Sequence, residues 1–519
     1  FFFLYLPLGP VPGIGDAPHG FPRVLMGAER RKAEIAFTAR AEPHAGSPHY
    51  AETVQERFEK APRIHAVRRL QPDVRGVYAA GYGTGWIEEA CRIYSEDHPD
   101  VAFKIEANNR MFDTIKTRLE TDTCDSDIVL IANANYVPLV ALNKLEDLTD
   151  LYDMVIPDTE DTTLKDVIPE IQYNYRLRNG KIYGVPWQDA TASGFIYNKK
   201  MFAEHGWEIP ATMDEFFALC DEIAETGVAP LVFGGGQESG YAINTLNQWF
   251  VEYYGYDYIA NTFMKYDSPE IYHFTQEGRQ KVYETAARLF QGKTAHGKDI
   301  VLAGSKSFTA QAAQREFIQG HAAMDICGNW FPTEMTAYLK GYPDFEFGYM
   351  PVPHINADQK DYAGKDSSKV RYSLDGNILA IPASSQYKTI AKDFLLSMYT
   401  KESYQSFVEE NNGVLRPMNV EIDSSALDAF SKASYDYFNA GKQAGEYIYE
   451  CSLAPMAVNG YLALLISQNG NTLGNLINAE SYEAAMSVAA VAAADDYARA
   501  SEMWDAAKNQ WKDSYLGVS

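Results

Sequence analysis

The stretch NGKIYGVPWQDATASGFIYNKKMFAEHGWEIPATMDEF, Asn179 to Phe216, decides how the chain is organised. Near its end, Thr212-Met213-Asp214-Glu215 is a capping box. The Thr hydroxyl and the Glu carboxylate each satisfy a backbone N–H that the first helical turn leaves unpaired. The box opens a helix with Phe216, Leu219, Cys220 and Ile223 on one face, and Gly227 lies just past its end. Before the box, the chain crosses Pro186 and resumes an alternation of apolar strands with amphipathic helices.

That alternation extends both ways. Upstream, Gly76–Ala80 is a strand ended by Gly81-Tyr82-Gly83-Thr84-Gly85, and Ile87, Ala90, Cys91 and Tyr94 mark a helix. Val101–Glu106 and Asp127–Ile131 are further strands around a helix over Met111–Leu119. Downstream, Leu231–Phe233 is a strand, Thr309–Gln319 a helix closed by Gly320, Ala322–Ile326 a strand and Lys388–Tyr399 a helix. The alanine-rich tail from Tyr482 to Trp511, free of Gly and Pro, is predicted helical. Strands alternating with helices predict α/β architecture with mainly parallel sheets flanked by helices. Residues 1–73 are different: Pro7, Pro10 and Pro12 break a short apolar run, and no periodicity follows. They read as a non-domain leader, flexible or a wrongly assigned start, without the ordered regions of a signal peptide. No cysteine precedes Cys91, so no lipid-attachment box is visible.

With 519 residues, the chain is too long for one compact core and suits two α/β lobes. Its net charge of −25 repels nucleic acid and anionic membranes and favours a neutral or cationic small ligand. No apolar run approaches the ~18–20 residues that span a bilayer. Five cysteines, Cys91, Cys124, Cys220, Cys327 and Cys451, show no metal or disulfide spacing and read as buried thiols. Tyrosine is abundant, at 35 residues, and a phenol offers both a flat apolar face and a hydroxyl.

Four segments carry a resemblance. Gly81 to Trp86 followed by a helix and HPDVAFKIE, then CDSDIVLIANANY, then the 179–216 stretch, then FIQGHAAMDICGNWF, occur in this order. Together they resemble the bacterial family 1 extracellular solute-binding proteins of ABC transporters, with maltose-binding-type proteins as distant relatives. The 179–216 segment is the most specific: a Tyr-Gly-hydrophobic-Pro step, a strand ending Tyr-Asn-Lys and a Pro-x-Thr helix start resemble the crossing between lobes. The resemblance implies a two-lobed type II periplasmic-binding-protein clamshell with a helical C-terminal region. Lobe one is expected over 74–188 plus 354–405, lobe two over 189–353 plus 406–519. It further implies a monomer outside the cytoplasm, periplasmic or on the cell surface, that delivers a carbohydrate to ABC permease subunits by hinge closure. Neither cofactor nor metal nor catalytic residue is expected.

Ligands of open α/β sheets sit beyond the carboxyl ends of the strands. Five predicted strand-end loops offer Tyr82, Gly83 and Thr84; Asn133 and Asn135; Trp187 and Asp189; Glu238 and Tyr241; and Asn329 and Trp330. Asn133 and Asn135 would point the same way if the backbone stays extended. By resemblance, Trp330 is the ring that covers a sugar face, with a packing role as the alternative, and Asp189 is a cleft carboxylate. Asn329 would serve ligand hydroxyls or form a turn, and Tyr241 is a second ring or a surface Tyr. Asp375, Asn377 and Arg416 are further candidates. Trp249 reads as core. A glycoside hydrolase needs a pair of cleft carboxylates, and no acid/base constellation or nucleophile motif is recognisable. A carbohydrate-sensing or capture protein of the same fold remains an open alternative.

Overall fold

The computed structural model describes residues 73–78, 81–108, 110–189, 193–236, 240–263, 276–374, 377–450 and 472–493. All lie within one compact unit, Leu70–Ser519. The leader expected over 1–73 falls almost wholly outside the described residues, as do Glu238, Asp375 and Cys451.

Eleven strands are described: β1 (Asp73–Tyr78), β2 (Lys104–Asn108), β3 (Val129–Ile131), β4 (Val185–Pro186), β5 (Ser193–Asn198), β6 (Ala229–Val232), β7 (Ala322–Gly328), β8 (Phe347–Met350), β9 (Arg371–Leu374), β10 (Ile378–Ala380) and β11 (Tyr447–Glu450). They form sheets of order β1-β2, β3-β10-β4, β9-β11 and β6-β7-β5-β8. Helices cover them. Met111–Glu120 packs on β1 and β3, Ala310–Ile318 on β6 and β7, and Gly85–Asp97 against Lys401–Glu410.

The sheets are mixed, which corrects the expectation of mainly parallel pairing. β1-β2, β6-β7 and β9-β11 are parallel, whereas β5 runs antiparallel to β7 and β8, and β10 antiparallel to β3 and β4. Parallel neighbours need a crossover element between them. β5 and β10 each enter their sheet after the chain has crossed from elsewhere, so no such element fixes their direction.

Local signals were realised where the chemistry is local. Thr212 accepts from the Glu215 N–H at 3.4 Å, and Glu215 accepts from the Thr212 N–H at 3.2 Å. Met213–Glu225 follows, burying Phe216, Leu219, Cys220 and Ile223. Thr309 caps Ala310–Ile318, accepting from the Ala312 N–H, and Gly320 takes the left-handed conformation just beyond. The C-terminal helix runs over Tyr482–Ala493 among the described residues, and the rest of its predicted span lies outside them.

The segment at Val370 and Tyr372 packs on the Gly240–Tyr258 helix. The Gln248 amide donates to the Val370 carbonyl and accepts from the Tyr372 N–H, both at 2.8 Å, and Asn247 donates to the Tyr372 hydroxyl. A single side chain satisfies two buried backbone groups of a distant strand, an arrangement without a local sequence signature. The chain returns to the β3 sheet only at β10, where Ile378 lies opposite Ile131.

Two apolar clusters result. One surrounds Phe195, Phe216, Trp249 and Met324 beneath the four-stranded sheet, so Trp249 is core, with its indole N–H donated to the Pro353 carbonyl. The other joins Trp86, Phe394 and Phe407 to Trp187, Trp330 and Phe331. Cys91, Cys124, Cys220 and Cys327 are free and buried. Among the described residues, no helix is long and apolar enough to cross a membrane.

Candidate functional site

The second cluster is where the strand-end loops meet. After β1, Gly81 and Gly83 adopt φ of +72° and +69°, turning the chain into the Gly85–Asp97 helix. Tyr82 between them is thereby aimed inward and buried. Its hydroxyl donates to Asn329 Oδ1 at 2.7 Å, and the Asn329 amide donates to Ser434 Oγ at 3.0 Å. Asn329 is the first residue after β7, so one hydrogen-bonded chain ties three distant segments together. Gly328 closes β7 for a steric reason: any Cβ there would collide with the Trp330 ring, which lies against the strand end.

Around Tyr82 the rings meet edge to face. Trp187 and Trp330 each lie 6.3 Å from it, at 76° and 87°. Tyr241 stands 4.7 Å from Trp330, and Trp86 5.2 Å from Trp187. Such geometry sets positive ring edges on negative faces. Burial raises the Tyr82 phenol well above its ordinary value, with smaller contributions from Cys327 and Glu334, so it stays a neutral donor.

Asp189 is buried two residues beyond Trp187 and meets Lys442 Nζ at 2.8 Å. Lys442 also donates to the Arg416 carbonyl at 3.1 Å, and its ammonium lies 5.4 Å from the Tyr447 ring. Arg416 donates to the carbonyls of Trp187 and Met398, with its guanidinium 4.1 Å from the Phe407 ring. Burial lowers its pKa to about 10. Arg416 is thus engaged in joining 187–189 to 398–416.

Gly83 and Thr84 follow Tyr82, and the Thr84 hydroxyl donates to Glu88 at 2.7 Å. The Asn377 carbonyl accepts the Trp187 N–H at 3.1 Å. Asn133 and Asn135 require a correction. They begin the helix Asn133–Ala141 rather than an extended stretch, so positions two apart diverge around the axis. Asn133 is buried and Asn135 half-buried. Lys442, Ser434 and Trp86 were not singled out from the sequence. The first two sit on the Ala429–Ala444 helix, whose contact with the 187–189 segment has no local signal.

Asp325, on β7 one turn of pleat below Cys327, is fully buried, and neither carboxylate oxygen has a hydrogen-bond partner among the described residues. Burial, aided by Glu334, raises it well above its ordinary 3.8. Burial therefore favours the neutral acid in the folded chain, whereas the unfolded chain ionises at the ordinary value. Stability then falls as pH rises above the ordinary value, by up to ~1.4 kcal/mol per pH unit. Asp325→Asn is expected to flatten this dependence just above the ordinary carboxylate range, measured by urea unfolding; an unchanged slope contradicts it.

The model of the family described as bacterial extracellular solute-binding protein matches residues 80–405. The chain belongs to this family. Among curated relatives, this solute-binding protein is 26% identical over 173 residues to an uncharacterized ABC transporter extracellular-binding protein of Pyrococcus horikoshii, covering 32% of this chain and 38% of the relative. It is 24% identical over 259 residues to the multiple sugar-binding protein of Streptococcus mutans, 50% of this chain and 57% of that one. The chain thus matches only about two fifths to three fifths of these relatives' lengths. Among solved structures, RafE in complex with raffinose superposes with a TM-score of 0.54 at 17% identity, covering 81% of this chain and 98% of RafE. The solute-binding protein therefore has the two-lobed α/β clamshell of type II periplasmic binding proteins. Its family consists of binding proteins.

Proposed function

We propose that this protein captures a carbohydrate outside the cytoplasm and delivers it to the transmembrane subunits of an ABC importer. The observation that carries the reading is the meeting of Tyr82, Trp187, Trp330 and Asn329 from the strand ends with Tyr241 of the Gly240–Tyr258 helix. Aromatic faces match the C–H faces of a pyranose, and amide and hydroxyl groups match its rim. The multiple sugar-binding protein and raffinose-bound RafE among the relatives support the same class of ligand.

Ligand closes the lobes because only the closed form contacts it from both sides, and closure is the state a permease distinguishes. Binding without bond cleavage suffices. The acidic body, at a net charge of −25, favours a neutral sugar over an anionic one.

A panel of neutral mono- and oligosaccharides screened by thermal shift should contain at least one stabilising ligand. At a concentration of ~100 Kd, stabilisation is about 2.7 kcal/mol, a shift of several degrees. A panel of inert sugars beside a stabilising amino acid or polyamine would refute the carbohydrate reading. Release of reducing ends by the pure protein would replace it with hydrolysis.

A further inference from the structure

Tyr82 and Asn329 meet from two different sheets. Tyr82 follows β1 of the β1-β2 sheet, and Asn329 follows β7 of the four-stranded sheet. The Tyr82 hydroxyl donates to Asn329 Oδ1 at 2.7 Å, and both residues are buried. The Asn329 amide is fixed from its own side. Its nitrogen donates to Ser434 at 3.0 Å, on the Ala429–Ala444 helix that packs on β8 of the same four-stranded sheet. Ser434 thereby leaves the amide oxygen of Asn329 turned to Tyr82.

A second bond spans the same two parts of the chain. The Asn412 amide donates to Thr333 Oγ1 at 2.9 Å. Asn412 lies two residues past Lys401–Glu410, the helix that packs on Gly85–Asp97 just after the Tyr82 loop. Thr333 lies in the short helix Phe331–Glu334 that follows β7. Asn412 holds a φ of +55°, which asparagine adopts more readily than most side chains. The backbones also fit closely here: a Cβ at Gly83 would stand 3.2 Å from Thr333 Cγ2, and the Trp330 ring meets Tyr82 edge to face.

Opening a clamshell parts the strand ends of its two sheets, so the motion that admits a ligand has to break both bonds. We propose that Tyr82–Asn329 and Asn412–Thr333 form a latch, by which the protein's own side chains favour the closed form and limit the fraction open to ligand. The inference rests on the two-lobed clamshell and not on the identity of the ligand. Ligand adds to a closure that these side chains already favour, and its apparent affinity scales with the open, binding-competent fraction.

The test is hydrogen exchange by mass spectrometry on the full chain without added sugar, comparing wild type with Tyr82→Phe, Thr333→Val and Asn412→Ala. Each variant removes one bond of the latch. Amides of both loops, 81–88 and 329–335, are expected to exchange about tenfold faster in every variant, the scale of one net hydrogen bond. Amides in the middle of β7 should keep the wild-type rate. The decisive reading lies across the gap. Thr333→Val should speed exchange at Ile87 and Glu88, whose N–H groups are held by the Thr84 carbonyl, and Tyr82→Phe should speed it at Glu334, held by the Trp330 carbonyl. X-ray scattering of the double variant Tyr82→Phe with Thr333→Val should give a larger radius of gyration, with circular dichroism melts verifying the fold. Acceleration confined to the loop that carries the substitution overturns the latch, because the bond then serves local packing. Acceleration that reaches β7 equally overturns it as general loosening, and so does an unchanged rate in all three variants or an unchanged radius in the double one. With no sugar present, none of these outcomes bears on the carbohydrate reading.

Discussion

Lys442→Met is expected to lower the unfolding free energy by about 3–5 kcal/mol, the cost of leaving a buried charge without its partner. Asp189 is 1% exposed and Lys442 13%, with 2.8 Å between the charged groups, so solvent cannot compensate the carboxylate that remains. The loss also releases the Arg416 carbonyl, which Lys442 holds at 3.1 Å. Against a typical total of 5–15 kcal/mol, this change alone brings the fold close to its limit. Urea denaturation measures it directly. The double variant Asp189→Leu with Lys442→Met should recover most of the loss, because replacing a whole buried pair by apolar groups is often neutral. A single variant that unfolds at the wild-type urea concentration would show that the pair is not buried in solution.

Trp330→Ala has the largest expected effect on ligand affinity, about 2 kcal/mol or more, which is roughly thirtyfold in Kd. The ring lies against the end of β7 at Gly328 and meets Tyr82 and Tyr241, so its removal opens the centre of the aromatic cluster. The same substitution leaves a cavity in the second apolar core and costs about 3–5 kcal/mol of stability. Affinity and stability separate experimentally, since titration at low temperature reads only the folded fraction. A folded Trp330→Ala protein with wild-type affinity would assign the residue to packing alone.

What the sequence made legible follows the range of the interactions involved. The Thr212–Glu215 capping box, the Thr309 cap and the glycine turn at Gly81 and Gly83 depend on residues a few positions apart, and all were realised. The meeting of Tyr82, Trp187 and Trp330 was accessible because each sits at a strand end and such ends share one side of an α/β sheet. The direction of β5 and β10 was not legible, since an apolar strand reads alike in either orientation. Nor was the Asp189–Lys442 pair: one carboxylate among 70 acidic residues carries no mark of its partner. Asn133 and Asn135 were misread for a local reason. The segment after the strand reads as continuing extended, yet Tyr136 and Leu139 that follow bury along a helix.

The pairing of late strands with early ones has a consequence for how the chain acquires its structure. Among the described residues, β3 at Val129–Ile131 pairs only with β10 at Ile378–Ala380, and β9 only with β11. The Gly85–Asp97 helix packs on Lys401–Glu410, and Gln276–Gln291 on Tyr482–Ala493. Loop closure over such separations precedes the contacts that reward it, which slows folding. A growing chain of this topology stays pliable until nearly all of it has been made. Truncation before residue 401 therefore removes partners from helices and strands throughout the molecule rather than from one end.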